Sequence, residues 1–196
     1  MAFWKRLSWK KIWHFIWYED SLASWIVNVI LAFLIVKFIF YPGIGFLLNT
    51  THPIVAVVSG SMEHTGNFDK WWVQQGTYYA EYNITKDEFL FFSFKNGFDK
   101  GDIMVVIGKE PENINIGDVI VFKGNLRDPI IHRVVKGWKE DNYYFQTKGD
   151  NNFYSRPDEE MIGKEKIIGK AIFKIPLLGW IKILAVDFID LVKKAS

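Results

Sequence analysis

Gly101-Asp102-Ile103-Met104-Val105-Val106-Ile107 and Gly117-Asp118-Val119-Ile120-Val121-Phe122 follow one scheme, a glycine and an aspartate ahead of a short apolar run. Glycine and aspartate turn the chain, and four or five consecutive apolar, mostly β-branched residues suit a buried strand. Similar runs follow at 130–135, 143–147 and 167–173, each bounded by Gly, Asp, Asn or Pro. No helical pattern alternates with them. From residue 100 the chain therefore reads as mainly β, an antiparallel domain rather than a parallel sheet with crossover helices.

Upstream, residues 22–41 are almost wholly apolar, interrupted only by Ser24, Asn28 and Lys37. At about 1.5 Å per residue such a helix covers the roughly 30 Å hydrocarbon core of a bilayer. Lys37, near one end, can reach the headgroups. Pro42 and Gly43 are expected to end the regular helix, although apolar residues continue, so 22–48 reads as a transmembrane anchor. A cleaved signal peptide would have a shorter apolar core and a small-residue cleavage site. Lys5, Arg6, Lys10 and Lys11 precede the span, and no Lys or Arg follows it until Lys70. The positive-inside rule then gives a single-pass protein of the cell membrane, with its N-terminus cytoplasmic and its β domain outside. The same four cations stand among Trp4, Trp9, Trp13, Phe15 and Trp17. Residues 1–21 thus read as a cytoplasmic segment whose basic amphipathic helix lies on anionic membrane lipid.

Residues 49–179 form the expected extracytoplasmic domain. Within it, 63–99 is an aromatic insertion carrying Trp71, Trp72, Tyr78, Tyr79, Tyr82 and several Phe. It reads as a small subdomain with its own core, as a stretch that dips into the lipid headgroups, or as a roof over a substrate groove. Asn49-Thr50-Thr51 and Asn83-Ile84-Thr85 fit the glycosylation acceptor pattern. At the end, 180–196 has apolar residues at 181, 184, 185, 188, 189 and 192, the spacing of an amphipathic helix. Lys182, Asp187 and Asp190 disfavour a second crossing, since a charge at the bilayer centre costs about 2.5–3.5 kcal/mol.

Composition removes several classes. A formal charge of +2, with the cations spread along the chain, does not suit nucleic-acid binding. The absence of cysteine excludes disulfides and thiolate chemistry, and the four histidines lack metal-ligand spacing. Nine Trp and seventeen Phe suit a chain that works at a membrane interface.

The chemistry points to Ser59-Gly60-Ser61-Met62-Glu63, where an apolar extended run breaks just beyond the anchor. A serine becomes a nucleophile when a base takes its proton and nearby donors receive the oxyanion. Ser61 is the candidate nucleophile, and Ser59 a candidate oxyanion donor. His132 shares a strand face with Ile130 and Val134, and histidine is suited to accept a serine proton near neutral pH. Downstream, Asp150 and Asp158 lie in turn-forming sequence, and either carboxylate is a candidate to orient the imidazole. His64, three residues from Ser61, is a weaker candidate base.

On these residues the chain resembles signal peptidase I of the archaeal and endoplasmic-reticulum type. The resemblance runs from about residue 22 to 180. It rests on Val58-Ser59-Gly60-Ser61-Met62-Glu63, the paired Gly-Asp openings, Pro129-Ile130-Ile131-His132-Arg133-Val134-Val135 and Thr147-Lys148-Gly149-Asp150-Asn151-Asn152. It implies Ser61 as nucleophile, His132 as base where bacterial relatives carry lysine, Asp150 as the aspartate of the Gly-Asp-Asn motif, and Ser59 at the oxyanion hole. Three features depart from the family. His64 replaces the usual proline, 63–99 is much longer, and position 156, where a second aspartate is usual, is arginine. Asp158 is taken as that aspartate, displaced by a longer loop. The resemblance implies a membrane-bound serine endopeptidase acting on preprotein signal peptides, with the secretion translocon as a further partner and no metal or other cofactor. A non-catalytic, membrane-tethered β domain that binds extended peptides is the alternative. A soluble, self-cleaving peptidase of the repressor-processing kind uses a lysine base, so the anchor and His132 count against it.

Overall fold

The computed structural model describes residues 8–126 and 128–195, so Trp4, Lys5 and Arg6 of the expected basic helix lie outside the described residues. The chain divides into two compact units, the first ending at Leu47 and the second beginning at Leu48.

In the first unit, α1 (Trp9–Trp17) precedes α2 (Leu22–Ile35), a π-helical turn (Val36–Phe40) and α3 (Tyr41–Leu47). The last three run together as one helix, Leu22–Leu47, long and apolar enough to cross a membrane. The expected break at Pro42 does not occur. A proline lacks an N–H and crowds the carbonyl four residues back, and the wider π turn just ahead of it removes both demands. The polar interruptions of the apolar run have a local purpose. Ser24 Oγ donates to the Phe15 carbonyl at 2.5 Å and Asn28 Nδ2 to that of Ile16 at 2.9 Å. These are carbonyls that the end of α1 cannot satisfy internally. Lys37 Nζ lies over the rings of Phe33 and Phe38, at 5.7 and 5.4 Å.

The second unit is a curled sheet of seven antiparallel strands in the order β1-β2-β7-β3-β4-β5-β6. They are β1 (Ile54–Ala56), β2 (Ile103–Ile107), β3 (Val119–Phe122), β4 (Ile130–Lys139), β5 (Tyr143–Lys148), β6 (Ile162–Gly163) and β7 (Ile167–Ile175). The five strands expected from residue 100 onward are all present. Register shifts in the β2–β7, β3–β7 and β4–β5 pairings bend and twist the sheet. The Gly-Asp scheme has a mechanical meaning. Gly101 and Gly117 take φ of +94° and +91°, and Asp102 and Asp118 then accept the N–H groups of Asp99 and Asn115. β3 is buried on both faces, which is why it reads as unbroken apolar sequence. Val119 and Val121 join Val57, Met62, Met104 and Ile131 in one core, while Ile120 and Phe122 join Ile130, Val134 and Phe145 in the other.

The 63–99 insertion forms α4 (Phe68–Ala80) and α5 (Lys86–Phe89), capped by the side chains of Asn67 and Thr85. Its aromatic core of Trp71, Tyr79, Ile84 and Phe89 closes on Val135 of β4, so it is built onto the sheet rather than around itself. The terminal helix α6 (Trp180–Ala195) buries Ile183 and exposes Ile181, Leu184 and Phe188.

Candidate active site

Ser61 sits in the turn that follows β1. Met62, fully buried, pins this turn to the core, and Glu63 N–H closes it on the Gly60 carbonyl at 3.2 Å. Across from it, β4 presents His132 beside its register partner Ile120 of β3. The Ser61 hydroxyl lies 2.8 Å from His132 Nε2. On the other side of the ring, Nδ1 lies 2.8 Å from Glu159 Oε1. Glu159 is fully buried at the end of a single 3-10 turn, Pro157–Glu159, and its second oxygen accepts the Thr147 hydroxyl at 3.4 Å. With Nδ1 donating to a carboxylate, Nε2 is left as the acceptor for the serine proton. Ser59 Oγ stands 3.2 Å from Ser61 Oγ.

The carboxylate on His132 is therefore neither of the two expected. Asp158 accepts the Asn125 N–H at 2.8 Å and pairs with Arg156 at 3.2 Å, tying Asn125 to the turn. Successive residues of a 3-10 turn project about 120° apart, so Asp158 and Glu159 cannot both face the sheet. Here the residue one further on, with one more methylene, reaches the imidazole. The signal was in the sequence: Pro157 starts a turn that carries three consecutive acidic residues, and only the phase of the turn selects one.

Asp150 is also buried, but in a different network. Its carboxylate accepts Arg133 Nε and Nη2, the Tyr79 hydroxyl and His64 Nε2, at 2.7–2.9 Å. Burial pushes the Asp150 carboxyl up, yet the Arg133 guanidinium and the hydrogen bonds from His64 and Arg133 outweigh it and hold the group well below the usual carboxylate range. Tyr79 is driven well above its ordinary value by burial and by the Asp150 charge. Lys148, buried beside them, is pushed down to about 8, chiefly by burial. His64, the weaker candidate base, is committed to Asp150 and stacks on Trp71 at 3.6 Å.

A groove of about 540 Å³ opens at Ser61 and His132. One wall is the chain from Val55 to Ser59, which begins in β1 at the end of the sheet, and the other is made by Leu126 and by Asp128 to His132, with Asn152 and Arg156 also lining the groove. Among the described residues no cluster of three His, Asp or Glu side chains is placed to hold a metal ion.

No family model matches the chain. Individual proteins do. It is 30% identical over 156 residues to the signal peptidase complex catalytic subunit SEC11 of Eremothecium gossypii, a match covering 75% of this chain and 74% of that protein. The SEC11 protein of Yarrowia lipolytica is 25% identical over 159 residues, covering 77% and 73%. The human catalytic subunit SEC11C is 28% identical over 156 residues, and there the match spans 76% of this chain but only 65% of the relative. With Ser61, His132 and Glu159 hydrogen-bonded in line beside a groove and relatives of this kind over three quarters of its length, the chain belongs to the family of SEC11 signal peptidase catalytic subunits.

Proposed function

We propose that the protein is a membrane-anchored serine endopeptidase that removes signal peptides from exported preproteins. The observation that carries this reading is the continuous hydrogen-bonded line from Ser61 through His132 to Glu159, with Ser61 and His132 lining a groove beside an edge strand. The preprotein lies in the groove as an extended strand, pairing with the free edge near β1, as peptides add to exposed sheet edges elsewhere. His132 Nε2 takes the Ser61 proton as Oγ attacks the scissile carbonyl. The Ser61 N–H and the Ser59 hydroxyl receive the oxyanion. His132, held by Glu159, then protonates the leaving amine, and the same imidazole activates the water that releases the acyl group. Helix Leu22–Leu47 crosses the membrane, with the N-terminus on the cytoplasmic side and the sheet on the other.

The test is cleavage of a preprotein in liposomes. Wild type is expected to cut after a small residue, and Ser61→Ala and His132→Ala to be inactive. A Ser61→Ala protein that still cuts at the same bond would remove the nucleophile from this reading.

A further inference from the structure

Asp150 lies between two parts of the molecule that must be aligned for Ser61 to react. On one side is β4, where Arg133 immediately follows His132 and gives Asp150 two parallel N–H bonds, at 2.9 and 2.8 Å. On the other is the nucleophile turn. Asn151 N–H donates to the Ser61 carbonyl at 2.8 Å and Asn151 Nδ2 to the Gly60 carbonyl at 3.1 Å. Gly149 approaches so closely that a Cβ there would stand 2.8 Å from the Ser61 carbonyl oxygen. Wherever Asp150 rests, the Ser61 backbone follows.

The remaining two hydrogen bonds to this carboxylate come from the insertion. Tyr79 donates from α4 at 2.7 Å and His64 Nε2 at 2.9 Å. An ionised carboxylate has about four acceptor sites, so these donors complete it, and removing either leaves a buried charge short of a partner. The two donors are themselves fixed. Tyr79 is fully buried, and the His64 ring lies parallel to Trp71, tilted by only 5°. The insertion also meets Arg133, whose guanidinium donates to the Ser93 and Phe94 carbonyls and lies 4.7 Å from the Phe89 ring.

We infer that His64 and Tyr79 are positioning residues for the peptidase reaction: through Asp150 they set the Ser61 turn against the strand that carries His132. The insertion is then part of the active-site frame and not an appended module. The inference rests on the proposed roles of Ser61 and His132. It joins the two departures, a histidine after Ser-Met-Glu and a long 63–99 segment, as one device, since the His64 ring that bonds Asp150 also stacks on Trp71 of the insertion.

The test uses the full-length protein in liposomes, with Tyr79→Phe, His64→Leu, His64→Gln and, as a surface control on the same helix, Val73→Ser. Since small misplacements of reacting groups cost up to about 10²-fold, Tyr79→Phe and His64→Leu are expected to lower kcat roughly tenfold or more, with KM within about twofold. The single-turnover acylation rate falls by the same factor, His64→Gln (which keeps an N–H near the Nε2 position) recovers most of it, and Val73→Ser matches wild type. Rates are normalised to active sites titrated with a serine-directed covalent inhibitor, so loss of folded protein does not register. Wild-type kcat per titrated site in Tyr79→Phe and His64→Leu overturns the inference, whatever their thermal stability. Ser61→Ala is run beside them. If it is silent while those variants cut normally, only the positioning roles fail. If it cuts, the reading of the nucleophile fails first.

Discussion

Glu159 and Asp158 share one turn and both lie near Arg156 Nε, at 3.9 and 3.2 Å, but only Glu159 reaches the imidazole, so their substitutions are expected to separate kinetically. Glu159 holds the imidazole from its Nδ1 side at 2.8 Å. Glu159→Gln keeps the volume but replaces a charged acceptor by an amide that can present its NH₂ and favour the wrong tautomer. Losses near 10⁴-fold accompany that kind of change in a Ser-His-Asp triad, so a kcat fall of about 10³-fold or more is expected in steady-state cleavage assays. Asp158 instead ties the Asn125 N–H and Arg156 to the groove rim. Asp158→Ala is expected to raise KM several-fold with a smaller change in kcat, read from the same progress curves. An equal and large kcat loss in both variants would show that the rim loop and the imidazole are mechanically one unit. The meeting of Ser61 and His132 was legible because each stands in a distinct sequence motif. The third group was not, since one residue of phase in a 3-10 turn exchanges an inward for an outward carboxylate and no periodicity in the sequence records it.

At the scale of elements, the strands were legible where apolar runs coincide with Gly-Asp openings. β6, two residues long, leaves no pattern to read. The helices of the insertion were also obscured, because Trp71, Trp72, Tyr78 and Tyr79 put large rings on several faces of α4, and what they cover is set by Val135 of a distant strand. The long apolar helix shows a related effect. Ser24 and Asn28 look like blemishes in an apolar span, yet they hold α1 to α2 through main-chain carbonyls. Each such bond contributes about 0.5–1.5 kcal/mol. The double variant Ser24→Ala, Asn28→Leu is therefore expected to make α1 exchange its amide hydrogens faster, read by mass spectrometry in detergent. The exchange of β3 and β4 in the other unit stays unchanged. Acceleration in both units would show that the pair steadies more than its own hairpin.

For the molecule as a whole, the buried charges behind the site make stability depend on pH with a defined sign. Lys148 titrates at about 8 in the folded protein against an ordinary 10.5, so between those values the unfolded chain binds more protons and stability rises with pH. Tyr79, shifted upward, acts oppositely above its ordinary 10.0 and closes that window near pH 10. Asp150, held low, contributes stability that is present at neutral pH and lost on acidification below the ordinary carboxylate value. The melting temperature is expected to climb from about pH 8 to about pH 10, and Lys148→Met to flatten that climb. An unchanged slope in the variant would assign it to another group.

Ser61 and His132 are separated by 71 positions, and His132 and Glu159 by 27. Ser61 leaves the ribosome long before its hydrogen-bond partner His132, and Glu159 follows later still. Contacts of that span form only after the intervening strands have paired, which is slow for an antiparallel sheet. On the roles proposed above, synthesis itself acts as a safety catch: a nascent chain that already carries Ser61 is expected to hydrolyse no peptide bond until His132 and Glu159 have folded against it.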